Sequence, residues 1–279
     1  MKICLSIAGL DPSGGAGIIA DIKTFSAFGC FATTAITSLT FQNTQGVFGA
    51  IHPTADSVRQ QIQPILDDFE VSALKTGMLP TKEIIDEIAK IVEENKLKNF
   101  VVDPVVRSTS GFDLIDDDAL KSLIDKLFPL SDIVTPNIPE AERISGLKIE
   151  SEPEIEKAAR KIQSFGAKIV LIKGGHFPIG DFGSGIVDSE KLKSKVAKDY
   201  LFIGNELHIF EGEFYETTAT HGTGCTLAAA ITANLALGKT VINSVETAKR
   251  FVNEAIRTAP NLGKGHSPIN HLLFDFGNS

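Results

Sequence analysis

The chain has 279 residues, 43% of them hydrophobic and 22% charged, and carries a formal net charge of −8. That balance belongs to a globular protein with a sizeable core and excludes wholesale disorder. The acidic excess argues against a non-specific nucleic-acid binder, which needs a basic surface, but leaves room for an anionic substrate where basic groups are focused locally.

Cys4, Cys30 and Cys225 are an odd number without metal-type spacing. Neither a disulfide framework nor a zinc site is expected, and a reducing cytoplasm is the better guess. No apolar stretch is long enough to span a bilayer. The expectation is a soluble cytoplasmic protein with no membrane partner. Neither a linker nor an internal repeat divides it, so residues 1–279 are read as one large α/β domain.

Residues 2–8 read as a short apolar strand that ends at Gly9. The glycine-rich turn Gly9–Gly17 follows, then a helix with Ile18, Ile22 and Phe25 on one side and Gly29 as its stop. A strand, a glycine turn and a helix is the context of a dinucleotide fingerprint. The spacing is not G-x-G-x-x-G, however, and no acidic residue ends a second strand nearby, so a Rossmann oxidoreductase is disfavoured. Asp11 in the turn is a candidate acceptor for a ligand donor; the plainer use of such an Asp is to form the turn.

Residues 30–41 are rich in β-branched and aromatic types and read as a strand ending near Gln42, whose amide both donates and accepts. A strand at Val47–Ile51 and a helix at 53–69 come next. Alternation then becomes regular. Strands are expected at 71–76, 99–103, 132–135 and 168–173, and helices at 81–95, 116–127, 137–145 and 152–165. Such alternation implies βαβ units and a mostly parallel sheet with helices on both faces. Ligands then bind at the carboxyl ends of the strands, where Asp103, Asn137, Glu140 and Lys173 all fall.

Residues 177–216 break the pattern and suggest a small β-hairpin excursion at the sheet edge, with Asn205-Glu206 near its turn. Helices at 224–237 and 240–258 follow, and an irregular polar tail, 263–271, ends in a loop over a site or an ordinary terminus.

The stretch His221-Gly222-Thr223-Gly224-Cys225 stands before an alanine-rich helix. A glycine turn opening a helix presents unpaired N–H groups and the positive dipole end, which attract anions. A thiol at such a mouth is expected to have a lowered pKa. Phosphoryl transfer needs positioning and charge neutralisation above all. The 222–225 turn would bind the transferring group, Lys173 would meet nucleotide phosphates, and Asp103 or Glu140 would hold Mg²⁺ directly or through water.

Ordered motifs span nearly the whole chain: SIAGLDPSGGAGIIADIKTF (6–25), AITSLTFQNTQGV (35–47), KTGML (75–79), DPVV (103–106), TPNIPEAE (135–142), KGGH (173–176), HGTGC (221–225) and GHSPINH (265–271). On them the chain resembles the ribokinase superfamily, and within it the hydroxymethylpyrimidine/phosphomethylpyrimidine kinases of thiamine biosynthesis. The resemblance implies a ribokinase-like fold, ATP and Mg²⁺, and an aminopyrimidine as small-molecule substrate, phosphorylated twice. It implies that Gln42 holds the aminopyrimidine edge, that Gly9, Asp11, Met78 and Val105 line its pocket, and that Gly222, Thr223, Gly224 and Cys225 form the anion hole. It further implies that Asn137, Thr135, His221 and Lys173 serve the nucleotide, with Asn137 and Glu140 forming the N-x-x-E element that organises Mg²⁺ and phosphate.

Cys225 stands where most of the superfamily places an aspartate base, and the anion hole is expected to contribute more than the thiol. Leu10-Asp11-Pro12 departs from the Ser-Asp-Ser-type loop of relatives, and Arg107 after DPVV is a charge the resemblance does not call for. A homodimer is left open by the resemblance. The rivals are a pyridoxal kinase of the same superfamily and a non-catalytic pyrimidine-binding sensor.

Overall fold

The computed structural model describes residues 1–106, 114–175 and 196–273. Strands and helices follow one another as β1 (Ile3–Leu10), α1 (Gly17–Ala27), β2 (Phe31–Asn43), β3 (Gly46–Ile51), α2 (Ala55–Asp68) and β4 (Ala73–Thr76). Next are α3 (Lys82–Glu94), β5 (Phe100–Val102), α4 (Asp117–Ser122) with a π-helical turn at Leu123–Leu127, β6 (Ile133–Val134), α5 (Ile138–Ser145) and α6 (Glu152–Gln163). The last are β7 (Ile169–Lys173), β8 (Val196–Ile203), β9 (Glu206–Glu213), α7 (Thr223–Ala236) and α8 (Val241–Arg257).

One sheet runs in the order β3-β2-β1-β4-β5-β6-β7-β8-β9. From β2 to β7 every pairing is parallel, while β3 at one edge and the β8–β9 hairpin at the other are antiparallel. The expected excursion is therefore a full extension of the sheet, at least in the described part of 177–216; Gly204 (φ +53°) and Asn205 make its turn, and Glu206 already opens β9. The β8 strand pairs with β7 along five residues, from Ile169↔Ile203 to Lys173↔Asp199.

Period-two alternation sorts the strands' side chains into two cores. Leu5, Ile7, Leu74, Phe100, Val102 and Val170 pack with α2 to α6, while Cys4, Ala73, Val101, Ile133 and Leu171 pack with α1, α7 and α8. The outer helices are plainly amphipathic. In α3, Thr81 accepts from the Ile84 N–H at the start, and Ile84, Ile85, Ile88, Ile91 and Val92 form the buried stripe. No helix among the described residues is long and apolar enough to cross a membrane.

Helix α7 differs, because Thr226 through Ala236 are all buried. It touches α1, α8, β1, β4 and β5, and Ala228, Ala229, Ala230, Ala233 and Ala236 are buried along these contacts. A run of alanines thus serves as the closely packed axis of one core, and its tolerance for added volume is low. Ala229→Leu is expected to cost about 1–3 kcal/mol of stability, read as a lowered urea midpoint with an unchanged m-value.

Candidate active site

The strand order reverses between β1 and β4, since β2 lies on one side of β1 and the later strands on the other. In open α/β sheets the ligand crevice opens at the carboxyl ends of the strands beside such a point. A cavity of about 1090 Å³ lies there. It brings together Gly9, Asp11, Gln42, Met78, Asp103, Val105, Asn137, Glu140, Lys173 and His221 to Cys225. Arg107 and His176 lie outside the described residues.

The anion end is built from two glycine turns in backbone contact. Gly222, the N-cap of α7, has φ +83°, and a Cβ there would collide with the Gly15 carbonyl. Gly17, the first residue of α1, has φ +54°, and a Cβ there would strike the Gly9 carbonyl. Both helix N-termini therefore point into the same crevice, each offering N–H donors and positive dipole charge.

Asp11 ties these turns together, and the expected ligand contact gives way to that task. One carboxylate oxygen accepts from the Ser13 N–H and hydroxyl at 2.8 and 2.7 Å. The other accepts from the Gly15 and Ala16 N–H groups at 3.1 and 2.8 Å and faces His221 Nε2 at 2.7 Å. Burial alone would raise this carboxyl, but the bonds from His221, Gln42 and Ser13 outweigh it and hold it well below the usual range. His221, expected beside ATP, gives its ring nitrogen to Asp11 and lies against Gly15. The tail covers this corner: the His221 N–H donates to the Ser267 carbonyl, the His266 N–H donates to the Thr44 carbonyl, and His271 Nε2 pairs with Thr226 Oγ1 at 2.9 Å.

Across the cavity, Lys173 Nζ stands 2.8 Å from Asp103 Oδ1 and 4.0 Å from Glu140 Oε2. A Cβ on Gly224 would come within 3.3 Å of that ammonium, so Lys173 faces the α7 mouth directly. Thr135, expected at the nucleotide, is fully buried and donates to Asp103 Oδ1 at 3.1 Å. It positions the carboxylate and does not line the cavity.

Asn137 and Glu140 form a reciprocal capping box: the Glu140 N–H donates to Asn137 Oδ1, and the Asn137 N–H to Glu140 Oε2, both at 2.8 Å. Burial pushes the Glu140 carboxyl up to about 7; Lys173 opposes this and Asp103 adds to it. Among the described residues no three His, Cys, Asp or Glu side chains cluster as a metal cage. Two carboxylates beside an anion site nonetheless fit magnesium, which keeps most of its waters and takes one or two carboxylates plus phosphates.

The lowered thiol expected at Cys225 is overturned. Burial pushes it up to about 11, and the carboxylates of Asp103 and Asp21 add to that. Lys75 and a hydrogen bond from the Gly17 N–H pull the other way and lose. A helix mouth lowers a thiol pKa only where desolvation does not exceed the dipole's effect.

A buried network below Cys225 escaped the sequence reading altogether. Lys75 Nζ bonds both Asp21 oxygens at 2.9 and 3.0 Å, and Ser6 Oγ donates to the second at 2.5 Å. The available signal was period two in β1 and β4, which puts Ser6 and Lys75 in register on one face.

At the other end, Gly9 and Met78 abut, a Cβ on Gly9 lying 3.1 Å from the Met78 sulfur, and Val105 completes an apolar wall. Gln42 lines the same cavity and helps to hold the Asp11 carboxyl low. Its amide can both donate and accept there.

Comparison with known proteins gives a consistent answer. The family model for phosphomethylpyrimidine kinase matches residues 11–270. A hydroxymethylpyrimidine/phosphomethylpyrimidine kinase of Staphylococcus aureus is 40% identical over 274 residues, covering 98% of this chain and 94% of that protein. The crystal structure of a phosphomethylpyrimidine kinase from Clostridium difficile superposes with a TM-score of 0.77 at 39% identity, covering 92% of this chain and 100% of that one. An ADP complex of Bacillus subtilis pyridoxal kinase superposes at 0.84 with 37% identity, covering 97% of each chain.

The raised Glu140 carboxyl carries a pH signature. Between about pH 4.3, where an unfolded glutamate titrates, and about 7 in the folded chain, the folded state holds a proton that the unfolded state has lost. This contribution to stability therefore falls as pH rises through that window. Glu140→Gln keeps the capping box, since Gln serves at that position. It is expected to reduce the stability lost between pH 5 and pH 7.5, measured by urea unfolding at both.

Proposed function

The chain belongs to the phosphomethylpyrimidine kinase family, whose members are phosphotransferases, and from that premise we propose its substrates and the tasks of its residues. The acceptors are 4-amino-5-hydroxymethyl-2-methylpyrimidine and then its monophosphate, the donor is ATP, and the diphosphate formed is an intermediate of thiamine biosynthesis. One observation carries this reading. Lys173 and the α7 N-terminus face each other at one end of a cavity whose other end offers an apolar slot and the Gln42 amide.

The aminopyrimidine ring lies in the slot between Gly9, Met78 and Val105. Its exocyclic amine donates to the Gln42 carbonyl. This orientation aims the hydroxymethyl group at the N–H groups of Gly224 and Cys225. The γ-phosphoryl group meets those donors and the α1 N-terminus, and Lys173 turns from Asp103 toward the nucleotide phosphates. Such preorganised donors cost no reorganisation as charge shifts during transfer. Asp103 and Glu140 would hold magnesium through water, with Asn137 at the same edge. When bound, the ion would neutralise charge on the phosphates.

The thiol of Cys225 is protonated at neutral pH by its burial, so it is not the base of the resting enzyme. The second transfer needs none, since a phosphate monoester with a second pKa of about 6 is already largely dianionic. The free cysteines suit a reducing cytoplasm.

The substrate reading is tested by ATP consumption with product identification, using the hydroxymethylpyrimidine, its monophosphate and pyridoxal in parallel. Conversion of the monophosphate to the diphosphate is the expected result. Turnover of pyridoxal alone would leave the phosphate site standing and remove the Gln42 assignment; binding without any turnover would favour a sensor. For the anion site, Cys225→Ala is expected to retain the second transfer largely intact. Gly222→Ala, strained by its φ and its contact with Gly15, is expected to reduce both transfers by about 100-fold. Equal collapse of both transfers in Cys225→Ala would contradict the lesser role given to the thiol.

A further inference from the structure

Lys75 lines no part of the cavity and takes no part in the chemistry above. Its ammonium and the Asp21 carboxylate are nevertheless both completely buried. A buried ion pair is a weak source of stability, because desolvating two charges offsets most of their attraction. Its placement is more informative than its strength.

The ammonium sits directly behind the cavity floor: a Cβ on Gly77, which lines the cavity, would stand 3.4 Å from Lys75 Nζ. Asp21 lies one helical turn along α1 from Gly17, which lines the same cavity as Cys225. Lys75 acts on the Cys225 sulfur more strongly than Asp21 does. Around that sulfur stand Lys75 from β4, Asp21 from α1, Asp103 after β5 and Lys173 at the end of β7.

The geometry points to Lys75 as a positioning residue for phosphoryl transfer: fixed behind Gly77, it keeps an ammonium behind the cavity floor and joins β4 to α1, touching neither substrate. This rests on the kinase reading. The burial that makes the pair a poor stabiliser also makes it an effective one at a distance, because a desolvated charge is screened little by salt. Asp21 and Ser6 orient the ammonium so that it does not drift into the cavity when phosphates arrive.

The test compares Lys75→Met with the double variant Asp21→Asn/Lys75→Met, using urea unfolding, steady-state kinetics, and alkylation of Cys225 by iodoacetamide across pH. Lys75→Met strands the buried Asp21 carboxylate and is expected to lower stability. The double variant removes both charges together and is expected to recover stability. A positioning role then predicts that the double variant still shows kcat reduced about tenfold or more, with KM for ATP and pyrimidine unchanged. Alkylation of Cys225 slows in it as well, by roughly tenfold for each unit of thiol pKa gained. A merely loosened fold does the opposite, speeding alkylation and admitting the reagent to buried Cys4 and Cys30. Wild-type kcat and a wild-type alkylation profile in the double variant would overturn the inference. Alkylation needs no substrate, so it judges Lys75 even where the wild-type enzyme fails to phosphorylate any of the acceptors, the outcome that sinks the kinase reading instead.

Discussion

Everything at the active site depends on one close contact, the backbone of Gly222 against the carbonyl of Gly15. Without side chains at these two positions, the loop after β1 and the turn before α7 come together across more than two hundred residues of sequence. Asp11 then draws the donors of one loop and the His221 ring of the other onto a single carboxylate. Two helix N-termini consequently converge on one small volume, each with an effective positive charge of about half a unit. The anion site is thus chiefly backbone, and backbone donors held by packing cannot swing away from a phosphate.

The net charge of −8 makes this arrangement necessary. Long-range attraction does not favour phosphates on such a protein, so attraction has to be generated locally. Lys173 and the helix ends do this at the cavity wall. Asp103 holds Lys173 at 2.8 Å with Glu140 4.0 Å away, and on the proposed function their negative charge would call for a counter-ion once that ammonium turned toward a nucleotide. Glu140 is confined further because its oxygens accept backbone N–H groups at Asn137 and Val106.

The fold was legible because strand runs and helical stripes are local. Val101-Val102 or the isoleucines of α3 announce themselves within a few residues, and their alternation implies a parallel sheet. The line-up of Asp103, Asn137, Glu140 and Lys173 at strand ends followed from topology alone. What was not legible is direction through space. Asp11, Thr135 and His221 are polar and stand beside the site, yet their side chains turn to one another or to Asp103. Asn137 and Glu140 were visible as N-x-x-E but not as a capping box, although that spacing is also the signature of a helix start. Lys75 and Asp21 are 54 residues apart and meet only because α1 packs over β1, the neighbour of β4 in the sheet. The antiparallel β8 and β9 were harder to place, because an edge hairpin and a continuing sheet have the same alternation.

Cys225 shows why the chemistry of a position cannot be read from its neighbours in sequence. At a helix mouth a thiol tends toward thiolate, but Asp103 and Asp21 stand close and burial removes the water that would solvate the anion. A carboxylate in place of that thiol would be a third negative group beside those two, in the volume where phosphoryl charge gathers. A neutral thiol avoids this repulsion. On the proposed function, the lack of a base at position 225 would weigh most on an alcohol acceptor, whereas an acceptor that is already a dianion would gain from a site free of competing negative charge. The same substitution of sulfur for carboxylate therefore suits the second transfer better than the first.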